Sequence, residues 1–133
     1  MSSLQKLSRG FTGGAVGGIA NVIAIIILVK LGIVDLMGIK MPPPAHPNLL
    51  LYKQIAWGGL WGLLLITPVL KDSWWQRGLL LGILASAAAL FYFMPATPAG
   101  MMGLNAGALT WLLVLIVNSV YGLVAGWWYE RSA

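Results

Sequence analysis

Cysteine is absent from this chain of 133 residues, and histidine occurs once, at His46. A disulfide framework, a thiolate metal site, an iron–sulfur cluster and a cysteine nucleophile are therefore excluded. One histidine leaves little for metal chemistry, so no metal site and no cofactor are expected. Charge is scarcer still, with eight basic and three acidic residues making up 8% of the chain, where a soluble domain carries roughly a quarter. Apolar residues make up 59% and the mean hydropathy is +0.87. Such a chain cannot cover itself in water, and its first partner is the lipid bilayer. The formal charge of +5 does not point to nucleic acid, because the basic residues are scattered singly and form neither a run nor a stripe.

What is abundant is long apolar sequence. A helix needs about 20 apolar residues to cross the roughly 30 Å hydrocarbon layer. Four runs approach this: Phe11 to Val29, with a continuation up to Ile39, then Leu50 to Leu70, Gly78 to Met94, and Met102 to Tyr129. The first follows Lys6 and Arg9, but its apolar core is longer than that of a signal peptide and no A-x-A-like site follows. It is read as a retained helix.

Basic residues near the span ends set the orientation. Lys6, Arg9, Lys71, Arg77 and Arg131 fall on one side, and Lys30, Lys40 and Lys53 on the other. This bias predicts an integral protein of a prokaryotic inner or equivalent membrane, with both termini cytoplasmic. Trp74 and Trp75, in the loop between Lys71 and Arg77, and Trp127, Trp128 and Tyr129, at the end of the last span, read as an interfacial aromatic belt.

Two phrases recur along the chain. Arg9, Gly10, Gly14 and Gly18 match Arg77, Gly78, Gly82 and Ser86 at an offset of 68 residues. Gln54, Trp57, Gly58 and Gly62 match Asn118, Tyr121, Gly122 and Gly126 at an offset of 64. The expectation is one transmembrane domain, residues 1–133, built by tandem duplication of a two-helix unit. Unit one covers about 9–70 and unit two about 77–129. A two-span unit returns the chain to its starting side, so the halves would be parallel repeats related by an axis near the membrane normal.

Small residues every four positions let helix backbones approach closely, which drives association in lipid. Gly10, Gly14, Gly18, Gly58, Gly62, Gly78, Gly82, Ser86, Gly103, Gly107, Gly122 and Gly126 are the expected helix-packing positions. Gly13 and Gly17 add a second small stripe to the first span, and Ala85 and Ala89 widen that of the third. This surplus points to a homo-oligomer or a larger membrane complex.

Away from the span ends the predicted helices hold no Asp, Glu, Arg or His, which argues against proton relays and ion-coupled transport. Asp35, Asp72 and Glu130 sit near different boundaries, so no paired-carboxylate site and no enzyme is expected. Asn21, Asn105, Thr110 and Asn118 form a candidate polar pathway for a neutral solute or water. The alternative is interhelical hydrogen bonding. Lys30, with Asp35 five residues on, is read as a lysine reaching back to the interface. Pro42, Pro43, Pro44, His46 and Pro47 make a stiff polyproline-like segment, read as a rigid connector or a partner-docking loop.

Two functions follow. The first is a non-catalytic membrane protein acting as an accessory, assembly or stabilising component through glycine-faced helices. The alternative is a small oligomeric channel or transporter for a neutral or weakly polar solute.

Overall fold

The computed structural model describes residues 2–39, 47–67, 73–96, 100–105 and 107–132. The regular elements among them are all helical: α1 Ser3–Lys30, α2 Ile33–Leu36, α3 Pro47–Gly62, α4 Trp74–Ala88 and α5 Thr110–Arg131. Of the described stretches, Ser3–Lys30, Trp74–Phe93 and Thr110–Arg131 are long and apolar enough to cross a membrane. The second expected run, Leu50 to Leu70, is represented among the described residues by α3 and the turn that follows it, and is not one of these three. Most of the proline segment, including Pro42, Pro43, Pro44 and His46, lies outside the described residues, while Pro47 opens α3.

Local chemistry accounts for the boundaries. α1 starts at a capping box, in which Gln5 N–H donates to Ser2 Oγ and Ser2 N–H donates to Gln5 Oε1. It stops because Gly32 takes a left-handed conformation, φ 75°, which is open to glycine at low cost. The expected continuation to Ile39 becomes the single turn α2, and Val34 and Ile39 are buried against Leu113 and Val117 of α5. Lys30 and Asp35 are both exposed.

α3 has 16 residues, or about 24 Å of α-helix, and tightens into a 3-10 turn at Leu63–Ile66. Thr67 then turns to an extended conformation, ψ 150°, with its hydroxyl donating to Leu64 O at 2.8 Å. A residue that precedes a proline, as Thr67 precedes Pro68 in the sequence, is pushed out of the helical region.

α4 starts four residues earlier than expected, because Ser73 caps it by accepting from Gln76 N–H. Trp74 and Trp75 therefore belong to its first turn and not to a loop. A π-turn at Ala89–Phe93 extends it. The last span starts later than expected. Met101–Gly103 forms a short 3-10 turn, with Met102 and Gly103 at positive φ, and α5 begins only at Thr110. Gly103 and Gly107 thus lie ahead of α5 and are not part of its face. A Cβ on Gly107 would lie 2.7 Å from Gly38 O, in the turn after α2.

α1 lies between α3 and α5, and α4 packs on the other side of α5. α3 and α4 touch only lightly. Leu65, from the 3-10 turn, closes that side by joining Leu81, Tyr121, Ala125 and Tyr129 in one buried cluster. Trp57 meets Phe93 edge-to-face, with ring centroids 6.0 Å apart.

The close helix contacts are backbone on backbone. A Cβ on Gly58 would lie 2.6 Å from Gly14 O, and one on Gly10 would lie 3.0 Å from Gly62 O. On the other hairpin, a Cβ on Gly82 would lie 2.5 Å from Asn118 O, and Gly78 faces Gly122 O. Gly14 therefore pairs with Gly58, and Gly82 with Asn118. The sequence phrases, however, align Gly58 with Gly122. The second hairpin is displaced by one helical turn from the register those phrases predict, and the matching offset between α3 and α5 is 60, not 64.

At these contacts an added methyl group has no room, and overpacking costs about 1–3 kcal/mol. Gly14→Ala and Gly82→Ala are expected to destabilise the protein by about 2 kcal/mol each. Ile83→Ala, on the outward face of α4, should change little. Unfolding in mixed micelles measures this, and a Gly14→Ala midpoint equal to that of the unmodified chain would refute the contact.

Candidate functional site

The polar groups inside the bundle sit mainly where α1 meets α5. Asn21, on the third small position of α1's second stripe after Gly13 and Gly17, is buried at 5% exposure. Its Nδ2 donates to Asn118 Oδ1 at 3.0 Å, while its own Oδ1 is buried and accepts no hydrogen bond. Asn118 faces two helices at once. Its backbone oxygen lies against Gly82 of α4, and its side chain reaches α1.

One turn along α5, Tyr121 is buried and its hydroxyl donates to Gly58 O of α3 at 2.7 Å. The ring lies over the α1 surface that Gly17 leaves bare, because a Cβ there would meet the ring's Cδ1 at 2.9 Å and Tyr121 O at 2.6 Å. Tyr121 therefore ties α5 to α3 across α1. The sequence marked Trp57 as its counterpart, yet Trp57 is 53% exposed. The one-turn displacement makes Trp61 the matching residue, and Trp61 does pack against the buried cluster around Tyr121.

The four residues of the expected polar pathway do not converge. Asn21 and Asn118 meet. Thr110 lies eight residues before Asn118, about 12 Å along the helix, and its hydroxyl donates to Gly107 O at 2.9 Å. Asn105 is exposed, beside Gly100. Ser86 is buried and donates to the carbonyl of Gly82 in its own helix. Gly10, Gly14 and Gly18 face α3, and Gly58 and Gly62 face α1. Gly78 and Gly82 face α5, and Gly122 and Gly126 face α4. Gly13 and Gly17 are occupied by α5, so the stripe read as surplus for another chain is used within this one.

A second polar cluster lies at the end that carries both chain termini. Arg9 Nε donates to Ser132 Oγ at 3.3 Å, and Arg9 Nη2 donates to the carbonyl of Tyr129. The guanidinium thereby satisfies a terminal carbonyl of α5, where the helix dipole is negative. Its carbon sits 4.2 Å from the Tyr129 ring centroid, and that of Arg77 sits 5.6 Å from it. Sequence reasoning placed Tyr129 only in an aromatic belt. The repeated Arg-Gly opening of both phrases was the signal that the two arginines could share a position in the fold.

Among the described residues no three His, Cys, Asp or Glu side chains converge. Comparison with known proteins found no matching family, no similar curated protein and no similar solved structure.

Interhelical hydrogen bonds in lipid contribute on the order of 1 kcal/mol. Tyr121→Phe is expected to cost about 1 kcal/mol. Asn21→Leu and Asn118→Leu should each destabilise, with the double variant losing less than the sum of the two. A double-mutant cycle on unfolding free energies tests this, and strict additivity would show that the two amides are not coupled.

Proposed function

We propose that the protein is a non-catalytic integral membrane component that assembles with, or stabilises, other membrane proteins within a larger complex. The observation that carries this reading is how the interior polar groups are used. Asn21 bonds to Asn118, Tyr121 to Gly58, Ser86 to Gly82 and Thr110 to Gly107. The first two bonds join helices, the third lies within α4 and the fourth closes the turn before α5, and they leave the separate polar residues without a common path.

The architecture proposed with this function is a tandem duplication of a two-helix unit, with α3 and its 3-10 turn as the fourth crossing segment. At 1.5 Å per α-helical residue and about 2 Å per 3-10 residue, residues 47–66 extend roughly 32 Å, close to the hydrocarbon thickness. Both hairpins place a glycine of the first helix against a backbone oxygen of the second, which supports a common origin. Lys6, Arg9, Arg77 and Arg131 gather at one end, which supports cytoplasmic termini.

One observation favours the alternative of a small channel or transporter for a neutral or weakly polar solute. Asn21 Oδ1 is a buried acceptor without a partner, and such a group costs free energy unless water or a solute reaches it.

Gentle extraction from the native membrane separates the two readings. A stoichiometric membrane-protein partner is expected to co-purify, and a pure homo-oligomer would overturn the accessory role. Conduction is tested by flux into liposomes. Flux that falls in the Asn21→Leu, Asn118→Leu variant supports the channel, and flux that stays the same in a folded variant rules out a path past these amides.

A further inference from the structure

We propose that the pair Asn21 and Asn118 is a binding site for one resident water molecule, which bridges α1 and α5 inside the bundle. Two facing amides can exchange two hydrogen bonds, each Nδ2 donating to the other's oxygen. Here only one is made. Asn21 Nδ2 donates to Asn118 Oδ1 at 3.0 Å, while Asn21 Oδ1 is buried and accepts from nothing, so the return bond from Asn118 Nδ2 is missing. Turning both amides over reverses the bond and again leaves one acceptor and one donor that do not meet.

Water supplies both missing roles. One of its O–H groups donates to Asn21 Oδ1, and its oxygen accepts from Asn118 Nδ2. A buried acceptor without a partner is costly, and a bridging water is nearly as good a partner as a direct bond. The neighbouring hydroxyls do not compete for this acceptor, because Tyr121 donates to Gly58 O, Ser86 to Gly82 O and Thr110 to Gly107 O.

The surroundings suit a small neutral ligand. A helical side chain leans back over the preceding turn, and there α1 carries Gly17 and Gly18, so its own side chains do not crowd the Asn21 amide. Asn118 is half-buried where Asn21 is buried, which leaves the α5 side of the pair as the way in. Between Arg9 and Lys30 on α1, and from Thr110 to Tyr129 on α5, the chain carries no charged residue, so the site has nothing to draw an ion. This inference does not rest on the assembly reading. A resident water is a joint between two helices, whereas conduction needs water that passes through.

NMR of the full chain, labelled with 15N-asparagine and held in phospholipid nanodiscs, tests the site through magnetisation transfer from water to the side-chain NH2 protons. The signals of Asn21, Asn48, Asn105 and Asn118 are assigned by substituting each in turn. In the unmodified protein the Asn118 NH2 group is expected to show a water cross-peak with the signs of dipolar transfer from a long-lived internal water. Asn21→Leu should abolish it. Absence of the cross-peak in the unmodified protein overturns the proposal, and this result stands even where Asn21→Leu fails to fold. A cross-peak that survives in folded Asn21→Leu also overturns it, because the water would then be held by Asn118 alone. Signs that report rapidly exchanging water overturn residence and support a conducting path past the two amides.

Discussion

Close backbone contact between α1 and its two neighbours is the constraint on which the rest of the bundle depends. In lipid, helices gain little by hiding apolar side chains from each other, so the approach of backbones and the bonds it permits must hold them together. α1 does this on two adjacent stripes. Gly10, Gly14 and Gly18 meet α3, while Gly13 and Gly17 meet α5. Because Gly17 is bare, the Tyr121 ring can lie over α1 and its hydroxyl can reach Gly58 O on the far side. One missing side chain on α1 thereby lets α5 and α3 share a hydrogen bond.

The two hairpins apply the same contact at different registers. Asn118 stands against Gly82 as Gly58 stands against Gly14. A glycine there offers only its backbone, whereas the asparagine offers its backbone to α4 and its amide to α1. The one-turn displacement thus creates the link between the hairpins. It also separates the fates of two aromatic residues that the sequence phrases treat as equals, leaving Trp57 at the outside and Tyr121 buried. At the chain-terminal end, Arg9 and Arg77 meet over Tyr129, so the helices that open each hairpin are joined again through α5.

Much of this was legible from residue spacing. The small faces of α1, α3, α4 and the second half of α5 follow from four-residue periodicity, which is a property of each helix alone. Asn21 and Asn118 were visible as polar residues on such faces. The helix ends were less legible. Ser73 drew the start of α4 back over Trp74 and Trp75, and the positive φ of Met102 and Gly103 kept Gly103 and Gly107 out of α5. Caps and left-handed residues act over one or two positions, and an apolar window of about 20 residues averages them away.

By itself the sequence determined that this chain is helical and suited to lipid, and that its helices carry small faces with a few amides on them. Those properties depend on composition and on neighbours within one turn. The tertiary structure alone decided which amide meets which, which stripe on α1 serves α5, and which arginines share a ring. The physical reason is that periodicity fixes where a residue lies around its own helix, while the axial offset between two helices is set by contacts between residues far apart in the chain.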